Sequence, residues 1–184
     1  MVLVVIAGVL GATLGRRFLV TVAIVNGTSM VPTFQPGTWV YTAAIDTPLE
    51  RGDIILLNDG HSEQALKRIV GVPGETVCIH RGYVFINGQV LLEPYIPKRV
   101  YTLPRQKVRV FVLGPEEYFV LGDNRPASAD SRSYGPIARK QIGRRIPVPE
   151  GAVRARFGPL VLPIHKNVLA QQTVSKLDLP GSKF

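Results

Sequence analysis

Asn26-Gly27-Thr28-Ser29-Met30-Val31-Pro32-Thr33-Phe34 follows directly on an apolar run from Phe18 to Val25, and the junction between the two sets the reading of the chain. The run is rich in β-branched residues and of strand length, so a strand ends at Val25 and a turn begins. Gly27 reads as the residue that supplies a positive φ or a close backbone approach, and Pro32 fixes its own φ and withholds a donor. A stiff turn of this kind holds Ser29 just past a strand end, with Met30 and Phe34 as apolar anchors of the exit. That placement suits a nucleophile. An ordinary hydroxyl-bearing turn reads the same way from nine residues alone, so other parts of the chain must decide.

The 184 residues are 46% hydrophobic and 19% charged, a balance that supports one cored domain, or one with a small insert, and excludes disorder throughout. Eighteen glycines and 15 prolines favour many short strands over a helical bundle, so the expected fold class is mainly β. The single cysteine, Cys78, excludes an intramolecular disulfide and a multi-cysteine metal site, and within Val77-Cys78-Ile79 it reads as a small buried hydrophobe. A net charge of +9 suits nucleic acid or an anionic membrane surface. The Lys and Arg residues are scattered in ones and twos, without a basic helix or interleaved aromatics. Membrane lipid is therefore the expected partner, and nucleic acid is not.

The N-terminus points the same way. Residues 2–14 carry no charge and are followed by Arg16-Arg17, so residues 1–17 are expected to form a retained membrane-anchor helix. Such a helix reaches only about 20 Å of the roughly 30 Å hydrocarbon core. Gly15 and snorkelling arginines, or a thinned bilayer, would complete the crossing. A cleaved signal peptide is the competing view, but no Lys or Arg precedes the apolar run and no small-x-small site stands clear before Arg16. The arginines belong on the cytoplasmic side by the positive-inside rule, which leaves the orientation open.

Alternation beyond the serine turn predicts strands near residues 38–42, 54–57, 65–70, 77–79, 83–86, 89–92, 108–113, 118–121 and 142–148. Asn87-Gly88 is a strong hairpin signal. Residues 58–64 read as a polar loop, and residues 93–107, with three prolines and several basic residues, as an irregular exposed insert. The β-rich domain is expected to span residues 18–165, and residues 166–184 to form a weakly structured tail.

In the strand at 65–70, Ala65, Lys67 and Ile69 share one face while Leu66, Arg68 and Val70 share the other. Ordinarily one cation faces solvent and the other snorkels along the sheet. Beside a candidate nucleophile, however, a lysine flanked by Ala65 and Ile69 is poorly solvated, and desolvation lowers its pKa toward that of a general base. The hydroxyl-rich stretch at 126–137 carries Asp130 and Arg132, a pair able to pin the loop so that Ser128 projects predictably. A serine nucleophile needs a base, usually histidine, sometimes lysine. His61 in a polar loop, His80 before a turn and His165 near the tail are poorer candidates than Lys67.

Three segments, in order, resemble the sequence boxes of the type I signal peptidases, the Ser/Lys-dyad leader peptidase family. They are Gly27-Thr28-Ser29-Met30-Val31-Pro32-Thr33, Lys67-Arg68-Ile69-Val70-Gly71-Val72-Pro73-Gly74, and Gly122-Asp123-Asn124-Arg125 through Ser128-Ala129-Asp130-Ser131-Arg132. Arg51-Gly52-Asp53-Ile54-Ile55, Ile86-Asn87-Gly88 and Glu93-Pro94-Tyr95-Ile96 are similar to the family as well, so the likeness spans about residues 16–148.

The resemblance implies an antiparallel β-sheet protease with an N-terminal membrane anchor that removes signal peptides from exported preproteins on the outer face of the cell membrane. It would cut after small-x-small sites without metal, nucleotide or other cofactor. Carried onto this chain, it makes Ser29 the nucleophile, with its backbone N–H in the oxyanion hole. Lys67 becomes the general base and Ser128 the hydroxyl that orients it. Met30 and Pro32 would shape the turn, Asp130 and Arg132 would buttress the loop, and Asp123 and Arg125 would be structural. Many family members carry a serine two positions before the nucleophile to complete the oxyanion hole, where this chain has Gly27.

Two rivals share parts of this pattern. A self-cleaving repressor-type domain uses the same dyad logic but wants a DNA-binding domain or cleavable linker upstream. A catalytically inactive, membrane-tethered binding domain would keep the fold and lose the activity, with Gly27 in its favour.

Overall fold

The computed structural model describes residues 2–5, 21–45, 47–58, 64–107 and 109–147. Among them the chain runs through β1 (Val2–Val5), β2 (Thr21–Val25), β3 (Trp39–Thr42), β4 (Ile54–Asn58), β5 (Gln64–Gly71), β6 (Thr76–His80), β7 (Tyr83–Ile86), β8 (Gln89–Val90), β9 (Val110–Val112) and β10 (Glu117–Leu121). A one-turn helix α1 (Ser131–Tyr134), β11 (Ile137–Ala138), a short 3₁₀ turn (Arg139–Gln141) and β12 (Ile142–Ile146) complete it.

The strands form three sheets whose pairings are all antiparallel: β1-β2-β3, a five-stranded sheet β11-β10-β5-β4-β12, and a second sheet β8-β7-β6-β9. A bridge between Ala43 and Arg145 ties the end of β3 to β12. β5 is central to the five-stranded sheet, with Lys67 opposite Ile55 of β4 and Arg68 between Ile54 of β4 and Leu121 of β10.

Three apolar clusters hold these layers, and β5 feeds all of them. Leu66 joins Ala23, Val25, Met30, Val40 and Leu56; Ile69 joins Ile55, Leu57, Tyr118 and Val120; Val70 joins the residues that seat the second sheet, among them Val77, Ile79, Val84 and Phe111. A strand packed this way has no wet face. The expectation that one of its two cations reaches solvent fails for that reason: Lys67 is 4% exposed and Arg68 3%.

Asn87 and Gly88 take positive φ at the β7–β8 turn, as the hairpin signal requires. Gly27 behaves otherwise than expected. Its φ lies outside the left-handed region, and a Cβ added to it would meet nothing within 4 Å, so the turn does not need a glycine there.

Four further expectations are corrected. Val2–Val5 is a strand on β2, register Val2 opposite Val25, and not the start of a helix; its Val-rich sequence suits an extended backbone. Residues 6–20 lie outside the described residues, as do the tail at 166–184 and residues 59–63 of the loop read at 58–64. Among the described residues no helix is long and apolar enough to cross a membrane. The 93–107 segment has no strand or helix, but it is not an exposed flap, since Tyr95 and Thr102 are buried. Within 126–137, Asp130 caps α1 by accepting a hydrogen bond from the Arg132 backbone N–H, so part of the expected loop is helical. Cys78 is half-buried, because it points away from the Val77 and Ile79 face of β6.

Candidate active site

The site grows from the middle of β5. Lys67 Nζ lies 3.2 Å from Ser29 Oγ and donates to the carbonyl oxygen of Leu66 at 3.0 Å. Among the described residues no carboxylate makes an ion pair with it. Burial pushes the Lys67 pKa below its ordinary 10.5, and the negative charge of Asp130 opposes part of that fall. A buried amine that is neutral and within hydrogen-bond reach of a hydroxyl can take the hydroxyl's proton, which is what a serine nucleophile needs.

The half-buried Ser29 sits in a turn closed by Val31 N–H to the Thr28 carbonyl at 3.2 Å and Phe34 N–H to the Met30 carbonyl at 2.9 Å. Met30 is buried in the core cluster and Phe34 packs against it; Pro32 is exposed and follows a cis peptide bond. Gly27 borders the turn with open space beside it.

The facing wall is the segment from Gly122 to Arg132. Asn124 stitches it to the nucleophile turn twice, its N–H donating to the Ser29 carbonyl at 2.9 Å and its side-chain amide to the Thr28 carbonyl at 3.0 Å. Asp130 accepts from Gly122 N–H at 3.1 Å and from Nε and one Nη of Arg132 at 2.8 Å each. Arg132 reaches on to the carbonyls of Arg125 at 2.7 Å and Ser128 at 3.3 Å. The pair thereby ties Gly122, Arg125 and Ser128 together. Ser128, at 0% exposure, leaves its hydroxyl without a hydrogen-bond partner among the described residues, so the expected contact with Lys67 is not made here.

Gly122 is where the two walls meet. A Cβ there would lie 2.2 Å from Ser128 Oγ and 2.5 Å from the Ser29 carbonyl oxygen. The glycine is required by space, not by its φ.

Beside Ser29 and Lys67, Asp123 and Arg125 anchor a buried ionic layer. Arg68 grips Asp123 with Nε at 2.9 Å and Nη2 at 2.6 Å, and donates to the Gly52 carbonyl at 3.0 Å; Thr33 donates to the same carboxylate at 2.5 Å. Arg125 grips Glu93 at 2.9 and 2.5 Å, donates to Thr102, and sends Nε to the Gly122 carbonyl at 3.1 Å. Thr33, Arg68, Glu93, Tyr95 and Gly122 all escaped the sequence reading as site residues. Their adjacency to Ser29, Lys67 and Asp123, or their place in the Glu93-Pro94-Tyr95-Ile96 segment, was the available signal.

His80 belongs to the second sheet, beside the Phe85 ring, while His61 and His165 lie outside the described residues. Among the described residues no cluster of His, Cys, Asp or Glu is placed to hold a metal ion.

The model of the family described as "Signal peptidase, peptidase S26" matches residues 1–149. This chain belongs to that family. As a member of the signal peptidase family it is a serine endopeptidase, a hydrolase. It is 38% identical over 149 residues to "Signal peptidase I" of Bacillus amyloliquefaciens, covering 75% of this chain and 80% of that protein. "Signal peptidase I T" of Bacillus subtilis (strain 168) is 37% identical over 151 residues, covering 75% and 77%. "Signal peptidase IB" of Staphylococcus aureus is 31% identical over 160 residues, covering 78% and 80%. A crystal structure of a signal peptidase I from Enterococcus faecalis V583 matches at 30% identity, covering 53% of this chain and 97% of that one with a TM-score of 0.44.

Proposed function

We propose that this signal peptidase family member removes N-terminal signal peptides from exported preproteins, cutting after small-x-small sites with a Ser29/Lys67 dyad. The observation that carries the reading is Lys67 Nζ at 3.2 Å from Ser29 Oγ, with the lysine only 4% exposed. Neutral Lys67 takes the Ser29 proton as Oγ attacks the scissile carbonyl carbon. The oxyanion forms against the Ser29 backbone N–H. Collapse breaks the C–N bond, the lysine ammonium returns the proton to the leaving amine, and an acyl-enzyme remains. Water deprotonated by the same lysine then hydrolyses the ester and frees Ser29.

Ser128 is proposed to orient the lysine once substrate is bound, since its buried hydroxyl lies against Gly122 beside the Ser29 carbonyl and is unspent. Asp130 and Arg132 hold that hydroxyl's loop, Asp123 and Arg125 its base, and Met30 and Pro32 the turn. Residues 1–17 are proposed to attach the enzyme to the cell membrane, with the domain at 18–165 on the extracytoplasmic side.

The test is cleavage of a preprotein with an Ala-x-Ala site by detergent-solubilised wild type, Ser29→Ala and Lys67→Ala, with mass spectrometry locating the cut. Cutting after the second Ala by wild type, with both variants folded and inert, is the expected result. Activity retained in either variant refutes the dyad. Membrane fractionation of the full chain against one beginning at Arg16 tests the attachment, which fails if both partition alike.

A further inference from the structure

The 93–107 segment touches the ionic layer under Ser29 and Lys67 through Glu93, Tyr95, Thr102 and the Leu103 carbonyl, and two of these, Glu93 and Tyr95, link its halves to each other. Glu93 is the counter-ion of Arg125, whose own Nε holds the Gly122 carbonyl at 3.1 Å. Gly122 in turn carries the crossing of the Ser29 carbonyl and Ser128. Tyr95 lies beneath Arg68, with the guanidinium carbon 3.9 Å from the ring centroid, and donates its hydroxyl proton to Glu93 at 2.7 Å. Arg68 is the residue after Lys67 on β5 and the partner of Asp123.

The two contacts close a ring. From Lys67 it runs to Arg68, through the Tyr95 ring and hydroxyl to Glu93, through Arg125 to Gly122, and back to Ser29. Glu93 also completes the charge balance, since the buried cations Arg68, Arg125 and Arg132 face Asp123, Glu93 and Asp130 respectively.

We propose that Glu93 and Tyr95 are positioning residues for the Ser29/Lys67 reaction: they clasp β5 to the Gly122–Arg125 turn and so fix the separation of base and nucleophile. Neither touches Ser29 or Lys67 in any hydrogen bond, and each acts through an arginine. Displacing a catalytic group by about 1 Å costs on the order of a hundredfold in rate, so a clasp of this kind shows in kcat. The inference rests on the dyad reading above.

The experiment measures kcat and KM on the Ala-x-Ala preprotein for full-length Glu93→Ala, Tyr95→Phe and Tyr95→Leu, well below each variant's melting temperature. Glu75→Ala is the control, because it removes an ion pair of similar geometry, Arg51–Glu75 at 2.5 Å, that is not joined to the ring. Glu93→Ala and Tyr95→Leu should lower kcat on the order of a hundredfold at nearly constant KM. Tyr95→Phe keeps the ring on Arg68 but opens the hydroxyl link to Glu93, so its kcat should fall between those of wild type and Tyr95→Leu, while Glu75→Ala should lower only the melting temperature. Unchanged kcat in folded Glu93→Ala and Tyr95→Leu overturns the proposal, as does a rise in KM alone or a loss no larger than the control's. Ser29→Ala and Lys67→Ala run alongside: if they stay active the dyad reading itself has failed, and if they are dead while the clasp variants are not, only the clasp has.

Discussion

Lys67 and Arg68 are neighbours on one strand, equally buried, and the protein treats them in opposite ways. Arg68 is saturated with partners: a carboxylate gripped by two nitrogens, a backbone carbonyl and an aromatic face. Lys67 has one carbonyl and one hydroxyl. Burying a cation without a carboxylate is costly, and the ammonium relieves the cost by releasing its proton, whereas guanidinium has no such exit. On the proposed mechanism, the difference teaches that burial alone does not make a base. What makes one is burial with the counter-charge withheld, and a second, fully satisfied cation next to it holds the strand while it is withheld.

Replacing the releasable cation with a fixed one breaks the contrast most completely. Lys67→Arg should fold and lose activity by a factor on the order of 10⁴ or more, as loss of a catalytic base does elsewhere; preprotein cleavage and circular dichroism check the two halves. Arg68→Met attacks the other side of the pair. It strands the Asp123 carboxylate, so denaturant unfolding should show a loss of about 3–5 kcal/mol.

Gly122→Ala sharpens the comparison, because it strains the wall that faces both residues without changing either. The added methyl must separate Ser29 from Ser128, and kcat should fall by about a hundredfold. Gly27→Ser is smaller and of opposite sign. The open space beside residue 27 accepts a side chain, so an added hydroxyl should raise kcat about tenfold, less than the 10²–10³ that removal of an established donor costs.

The mildest test is a shift along the pH axis. The proposed base acts as neutral Lys67, so kcat should rise with pH through a midpoint below 10.5, the direction set by burial. Asp130 opposes that fall, so Asp130→Asn should move the acid limb to lower pH. An unmoved limb in a folded variant would remove Asp130 from the electrostatics of the base. The same lowering makes unfolding take up a proton between the two pKa values, so the lysine's contribution to stability falls as pH drops through that window.

Period-two alternation placed Lys67 and Arg68 on opposite faces of β5, and Gly27 to Phe34 marked a turn after a strand; it took the three family-like segments together to pair Ser29 with Lys67, which lie 3.2 Å apart. The ionic pairings beside them were not legible in this way. Arg68 meets Asp123 and Glu93 meets Arg125 across 55 and 32 positions, and no local periodicity encodes which charge finds which. The proline-rich segment at 93–107 reads as exposed because its composition is that of a loop, yet Tyr95 is buried under a guanidinium that only the folded sheet supplies. Val2–Val5 went astray for a different reason: an uncharged apolar run is compatible with helix and strand alike, and pairing with β2 decided it.

The bond from Asn124 N–H to the Ser29 carbonyl joins segments far apart in sequence, and its consequence is cooperative. Active-site loops usually sit at the loose end of a protein's spectrum of local openings. Here the peptide of Ser29, the proposed nucleophile, is sewn to the core, so the Asn124 amide should exchange with deuterium only as slowly as the central strands do. Heat would then leave no interval in which the fold survives and the active site has already come apart.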